Sequence, residues 1–280
     1  MTSTLPVDLA PDQLDDVRAT VETAFGVALD PGTARHGNKG DTIGMVSDGG
    51  RWVRFQFRRP GVMSDAWTGP EAASALTGVS MPALFRSLRW PDERRGVIWR
   101  ADEFELVTDH AVSGPGSIAE APTLSASWWE TLRASLAALA AADTTRRAMD
   151  GGHLVGRITE VFPDEVAGVD LTVPEWTTAH GDCHWGNLTA PGCVVLDWES
   201  WGRAPRGYDA ATLWGFSLGV PEVAARIETE FADDLASRSG VLSRLMFCAN
   251  VVRQWKKRGV EMPFTAGVRK AAPGLLDSLR

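Results

Sequence analysis

The stretch that most constrains this chain runs Ala179-His180-Gly181-Asp182-Cys183-His184-Trp185-Gly186-Asn187 and, a few residues on, Val194-Val195-Leu196-Asp197-Trp198-Glu199. It sets the hard-oxygen side chains of Asp182, Asn187 and Asp197 within one short region. Val194-Val195-Leu196 is a compact aliphatic run of the kind that forms a buried strand. Asp197 is then expected where that strand leaves the core. Pro191-Gly192 signals a turn, so Asn187 and Asp197 are expected on adjoining ends of a hairpin. Converging carboxylate and amide oxygens suit Mg²⁺, which takes a few oxygen ligands and completes its shell with phosphate and water.

His180-Gly181-Asp182, Asn187 five residues beyond the aspartate, an apolar run closing in Asp197, and Tyr208-Asp209-Ala210-Ala211 occur in that order. The series resembles the catalytic loop and metal segment of the protein-kinase-like fold, in the form carried by the aminoglycoside phosphotransferase and choline kinase-like family. The match is dense over 179–213 and thin elsewhere. It implies an α+β, bilobal, protein-kinase-like fold, with a small β-rich N-terminal lobe and a larger, mostly helical C-terminal lobe. In these terms 1–107 is the nucleotide-binding lobe, 108–116 a hinge, and 117–280 the helical lobe with the catalytic loop and substrate cleft. Carried over residue by residue, the resemblance makes Asp182 the catalytic base and Asn187 and Asp197 the Mg²⁺ ligands. His180 and Asp209 become supports of the site. ATP, or alternatively GTP, is the implied phosphoryl donor, and a hydroxyl of a small molecule the acceptor.

The N-terminal part is consistent with that scheme. Apolar residues at Leu14, Val17, Val21 and Phe25 predict a helix over 12–25. A glycine-rich region follows, with Thr42-Ile43-Gly44-Met45-Val46 readable as a strand and Asp48-Gly49-Gly50 as a hairpin turn. The strand 52–58 then alternates, with Val53, Phe55 and Phe57 on one face. The loop His36-Gly37-Asn38-Lys39-Gly40 is the candidate phosphate cradle, its backbone N–H groups serving as donors; a plain flexible β-turn is the other reading. The kinase-like fold asks for a cation on the following strand. No lysine stands there, which departs from the protein-kinase pattern. Arg54 is favoured for the place from its distance to the 48–50 turn, and Arg58 is the alternative. An arginine can grip phosphate in a bidentate way. The partner acid is expected from the next helix, 69–76, with Pro70 in its first turn and Glu71 as the mate of Arg54.

Beyond this, 97–99 and 104–107 read as two strands around an Asp102-Glu103 turn. Trp129, Leu132, Leu136 and Leu139 predict a helix over 127–142 capped by Ser127, while 149–175 is loop-rich. Helical patterns recur at 210–216, 223–236, 242–255 and around Leu275-Leu276. Glu228, Glu230, Asp233 and Asp234 form an acidic run, read as a solvated face or, alternatively, as a pocket for a basic substrate.

The net charge of −8 argues against a nucleic-acid binder that works by neutralising phosphates, and it is compatible with a cationic substrate. No stretch has the length of a membrane span, so no membrane partner is expected. Cys183, Cys193 and Cys248 do not make a disulfide framework; a reducing, cytoplasmic setting is expected. His180, Cys183, His184 and Cys193 lack the paired spacing of a zinc site, and no Gly-x-Ser-x-Gly marks a hydrolase nucleophile. The resemblance therefore implies a small-molecule kinase that phosphorylates a hydroxylated antibiotic, in which case it confers resistance, or a related metabolite. A kinase of a sugar, nucleoside or amino alcohol is the metabolic alternative. A non-catalytic nucleotide-binding protein of the same fold is the alternative of another class.

Overall fold

A computed structural model describes residues 7–280 apart from 38–39, 62–64 and 115. The fold is α+β and divides into two compact units, residues 1–74 with 82–108, and residues 75–81 with 109–280.

The first unit is an antiparallel sheet with a helix on one face. Helix α1 (Asp15–Phe25) is followed by β1 (Leu29–His36), β2 (Thr42–Ser47), β3 (Arg51–Arg58), the short helix α2 (Gly69–Ala73), β4 (Leu84–Asp92) and β5 (Val97–Glu105). The strand order is β1-β2-β3-β5-β4. Val17, Val21 and Phe25 of α1 pack on Ile43, Met45, Val53, Phe55, Trp99 and Ala101. Each such side chain contributes about 1.5–3 kcal/mol through burial, so this apolar face pins the register of the sheet. The opposite face carries Arg54 and Gln56 from β3, Arg100 and Asp102 from β5, and Ser87 and Arg89 from β4. The register sets Arg54 against Asp102 and Gln56 against Arg100.

One strand departs from the sequence reading, and β1 lies where that reading marked no element. The Asp102-Glu103 turn does not exist; β5 runs unbroken through both residues. Their polarity suggested a break, but each charge is met within the sheet. Glu103 receives Arg86 Nε and Nη2 at 2.7 and 2.9 Å. Asp102 receives Arg100 Nε at 2.8 and 2.7 Å and the Ser87 hydroxyl at 2.5 Å. β1 contains Asp30-Pro31-Gly32, a turn signal in sequence. The strand tolerates it because the pairing with β2 shifts register between Asp30 and Arg35.

The second unit is mostly helical. A two-residue strand, β6 (His110–Ala111), leads to α3 (Ala126–Ala140), α4 (Gly151–Val161), β7 (Trp176–Ala179), β8 (Thr189–Ala190) and β9 (Gly202–Pro205). Then come α5 (Tyr208–Phe216), α6 (Pro221–Glu230), α7 (Ala232–Ala236), α8 (Arg238–Arg258) and α9 (Thr265–Asp277). The cap of α3 is Ser125, whose hydroxyl accepts the Trp128 N–H at 3.1 Å, and not Ser127. Segment 149–175 holds α4, capped by Asp150, rather than loop alone. Val194-Val195-Leu196 is not a regular strand. Val195 makes one isolated bridge to Leu188, although it is buried as expected. Helix α8 ends at Gly259 in the left-handed region at φ 68°, with Lys256, Lys257 and Arg258 in its last turn, where the helix dipole favours cations.

Arg95 ties α1 to the β4–β5 turn. Its guanidinium is 5% exposed and reaches Asp16 at 2.8 Å and Asp92 at 2.7 Å. The Arg95 hydrogen bond holds the Asp16 carboxyl below 3.8. Burial pushes the Asp92 carboxyl up, but hydrogen bonds from Arg95 and Trp99 outweigh this and hold it below 3.8 as well. Arg95→Met leaves the half-buried Asp92 with its Trp99 donor but without its cation, a change that costs about 1–3 kcal/mol. The wild-type stabilisation is present above the ordinary carboxyl value and is lost as pH falls through the lowered folded values. Denaturant unfolding at pH 7 and at about pH 2, below the lowered carboxyl values, is therefore expected to show a large deficit for Arg95→Met that narrows on acidification; a deficit that widens would refute the assignment.

Candidate active site

The loop between β7 and β8 is held from below by one carboxylate. Asp209, in the first turn of α5, is buried and accepts the backbone N–H of His180 at 2.6 Å and of Gly181 at 2.9 Å. Burial pushes the Asp209 carboxyl above its ordinary value, and the two backbone N–H donors oppose the rise. Gly181 sits at φ +84°, and a Cβ there would lie 2.7 Å from the Ser200 carbonyl oxygen and 2.9 Å from Ala148 Cβ. The position therefore requires glycine on both backbone and steric grounds.

Aromatic packing fixes the far side of the loop. Trp185 is fully buried, stacks on Trp128 of α3 at 6.0 Å, and donates its indole N–H to the Ser217 hydroxyl at 2.8 Å. The buried His180 ring meets Trp198 edge-on at 4.8 Å. Both His180 ring nitrogens are buried without a hydrogen-bond partner among the described residues. Its place is thus one of packing, beside the segment that carries Asp197.

Within this frame Asp182 stands out of the core, its side chain 44% exposed. His184 Nε2 lies 3.7 Å from Asp182 Oδ1. Asn187 is buried, and its side-chain Nδ2 donates to the Asp182 carbonyl oxygen at 2.9 Å. Because the amide nitrogen is engaged there, the amide oxygen is the end of Asn187 left to meet a cation. The Asn187 carbonyl also receives the Leu196 N–H at 2.8 Å, which ties the residue before Asp197 to Asn187. Asp197 adopts φ 64°, the one positive φ of a non-glycine residue among the described residues. Such conformations cost of order 1–3 kcal/mol and gather at functional positions. The donor set is two hard oxygens without sulfur, which fits Mg²⁺ and not zinc. Among the described residues no three His, Cys, Asp or Glu side chains come together as a metal cluster. Cys183 and Cys193 are buried thiols, and burial pushes Cys193 up to about 12. They pack and do not react.

The first unit carries the other predicted residues. Gly37 and Gly40 flank the expected cradle; Asn38 and Lys39 lie outside the described residues. Gly37 donates to the Thr42 carbonyl at 3.0 Å, and a Cβ on it would collide with Thr42 Oγ1 at 1.9 Å. The expected pair Arg54–Glu71 is not formed. Glu71 pairs with Arg89 and, at 3.6 Å, with Arg100, while Arg54 lies 3.9 Å from Asp102. The physical reason is the register: Arg89 and Arg100 are directly opposed across β4 and β5, and the two adjacent cations require an anion.

Gln56 escaped the sequence reading. It is 1% exposed, and neither its amide oxygen nor its amide nitrogen has a hydrogen-bond partner among the described residues. Its place between Arg54 and Arg58 on the strand could have signalled it, since a polar residue there continues the non-apolar face.

A cavity of about 540 Å³ in the second unit is lined at one end by Gly181 and Asp182 and along one side by α8.

These features define a class before any single relative does. Residues 106–241 match the family model of the phosphotransferase enzyme family, APH. No curated protein matches the chain. Solved structures of similar fold include a thermostable mutant of aminoglycoside phosphotransferase APH(4)-Ia in ternary complex with AMP-PNP and hygromycin B. It is 13% identical at TM-score 0.58, over 94% of this chain and 98% of that one. Amicoumacin kinase hAmiN in complex with AMP-PNP, Ca²⁺ and Ami is 11% identical at TM-score 0.57, over 94% and 93%. Macrolide 2'-phosphotransferase MphH from Brachybacterium faecium is 16% identical at TM-score 0.56, over 95% and 98%. The family match is confined to 106–241, just under half of the chain, and the likeness to these solved kinase-like phosphotransferases is one of fold.

No helix among the described residues is long and apolar enough to cross a membrane.

Asp209→Asn offers one amide oxygen to two backbone donors and presents its N–H₂ to the other. An unsatisfied buried donor costs about 1–3 kcal/mol. The variant is expected to melt lower and to show faster amide hydrogen exchange at His180 and Gly181. Native exchange at both amides would rule out the bracing role.

Proposed function

We propose that the protein transfers the γ-phosphate of ATP, with GTP as the alternative donor, to a hydroxyl of an antibiotic or a related metabolite. One observation carries this reading. Asp182 is a half-exposed carboxylate at the end of a cavity of about 540 Å³, while the backbone beneath it is locked by Asp209. A structural aspartate would spend its oxygens on its own loop; this one faces space in which an acceptor can sit.

In this reading the acceptor hydroxyl hydrogen-bonds to Asp182. As the oxygen bonds to the γ-phosphorus and the bond to the β–γ bridging oxygen breaks, the hydroxyl proton passes to the Asp182 carboxylate and ADP leaves. The transition state of phosphoryl transfer is loose, so orienting the hydroxyl is the larger part of the task. His184, 3.7 Å from Asp182 Oδ1, flanks the carboxylate on the loop side. Asn187 and Asp197 would hold Mg²⁺, which supplies charge neutralisation on the phosphates. The first unit offers Arg54, Gln56 and the Gly37–Gly40 backbone as its phosphate-binding groups. Glu71 acts there through Arg89 and Arg100 instead of through Arg54.

Resistance by antibiotic phosphorylation is the favoured physiological role. The neighbours of the same fold bind hygromycin B or amicoumacin or are described as acting on macrolides. ADP release on a panel of hydroxylated antibiotics, sugars and nucleosides tests the activity.

Asp182→Asn keeps size and hydrogen bonding but cannot take a proton. Near-native melting and nucleotide affinity are expected, with turnover lowered on the order of 10²–10⁴-fold. Asp197→Ala, measured alongside, is expected to abolish the Mg²⁺ dependence of ATP affinity. Wild-type turnover in Asp182→Asn would show that this carboxylate is not the base.

Gln56→Met removes a buried amide without a partner, so its melting temperature is expected to stay or rise while ATP affinity falls. Lowered melting with unchanged ATP affinity would give Gln56 a purely structural part.

A further inference from the structure

The cavity at Asp182 has a chemistry of its own. One wall is a single stripe of α8, Ser243, Phe247, Asn250, Gln254 and Arg258, spaced three or four residues apart and so on one helical face. An aromatic cluster that includes Phe247 of the stripe adjoins this wall. Phe216, Phe247 and Phe264 form a mutual cluster with centroids 5.1, 5.4 and 5.7 Å apart. Val260 and Met262 rim the mouth and are 60% and 45% exposed. With Phe85 they make up the exposed large hydrophobic side chains of the described residues. Exposed apolar surface gathered at the mouth of a concave site marks a place where apolar ligand surface is buried.

Charge and hydrogen bonding narrow the ligand further. Asp182 is the one carboxylate among the described lining residues, and Arg258 the one guanidinium. The acidic run at 228–234 does not line the cavity. Glu228 lies against Arg244 and the Trp214 indole N–H, Glu230 against Arg133 and Arg226, and Asp234 against Arg206. Asn250 accepts Arg157 Nη1 on its amide oxygen at 2.6 Å. An arginine can only donate, so this contact fixes the amide orientation and leaves the Asn250 N–H₂ as a donor. Several ammonium groups in this space would lack partners and be desolvated at a large cost.

We infer that the acceptor is a largely apolar, oxygen-bearing molecule, neutral or with one anionic group for Arg258, and not a polycation. This rests on the cavity being the acceptor site of the proposed kinase. The −8 net charge does not set the chemistry of the site, because the acids of that run do not line it and Glu228, Glu230 and Asp234 are paired with arginines.

The test uses the full chain and three probes: kanamycin, a tetra-amine; chloramphenicol, a neutral aryl diol; and erythronolide B, a neutral hydroxylated macrolactone without an amine. Calorimetric titration without nucleotide reads the cavity alone. ADP release with Mg²⁺–ATP reads the kinase. At least one apolar probe is expected to bind tenfold or more tightly than kanamycin. Met262→Glu, at an exposed position, is expected to keep the melting temperature and weaken that probe several-fold. Phe247→Glu is expected to weaken it tenfold or more and to bring kanamycin closer. Kanamycin binding as tightly as the apolar probes, or none of the apolar probes binding, overturns the inference. Apolar binding at the cavity without any Mg²⁺-dependent ATP binding would sink the kinase reading while leaving the ligand class standing.

Discussion

The paired hydrogen bonds from the His180 and Gly181 backbone to the buried carboxylate of Asp209 are what the second unit's chemistry depends on. Two N–H groups that leave a strand end would otherwise be buried and unmet, a state that folded proteins avoid. Satisfying both from one side chain fixes the position and direction of the chain as it enters Asp182. The left-handed backbone at Gly181 then turns the loop outward. Asn187 closes it by donating back to the Asp182 carbonyl, and Trp185 anchors it on Trp128. A half-exposed carboxylate is held in place because the backbone of 180–182 is bound on both sides of it, while its own oxygens are not spent on those bonds.

The sheet of the first unit resolves a different conflict. Its apolar face is ordinary packing against α1. Its other face buries arginine and carboxylate side chains, whose desolvation is costly unless each charge is paired with good geometry. Arg100, fully buried, meets Asp102, Glu71, the Trp67 carbonyl and the Ser87 hydroxyl. Pairing of this density makes the face rigid and leaves Gln56 as a buried group with no hydrogen-bond partner among the described residues. That is the combination expected of a surface built to receive a polar ligand: fixed surroundings and a residual demand for hydrogen bonds.

The cavity beside Asp182 shows how little whole-chain charge says about a site. Net charge governs long-range attraction, whereas recognition at contact depends on which groups remain unpaired after folding. The acids of α6 and α7 meet arginines of α3, α8 and the 206 position. The stripe on α8 meets none of them, and presents the Asn250 N–H₂, Gln254 and Arg258 to the cavity.

Much of this protein is legible in its sequence because local rules act there without competition. The α1 periodicity at Leu14, Val17, Val21 and Phe25, the Asp48-Gly49-Gly50 turn and the alternation of 52–58 all reappear as element, turn and strand. The order His180-Gly181-Asp182, Asn187, Asp197, Asp209 marked a segment that the structure does tie together, with Asp209 of α5 holding 180 and 181 and Asn187 holding 182 and 196. Sequence reading failed where long-range pairing overrules local appearance. Asp102 and Glu103 resemble a turn but lie in a strand, because Arg86 of β4 neutralises Glu103 across the sheet and Arg100, two residues back on β5, neutralises Asp102. Glu71 was matched to the wrong arginine, because partner choice follows strand register and register cannot be read from one strand. The α8 stripe carries a visible helical period, yet nothing in the period says which face meets a cavity. The residue types and their local spacing were determined by the sequence alone; which charges are spent on one another, and which remain for a ligand, was decided only when the tertiary structure brought distant elements into contact.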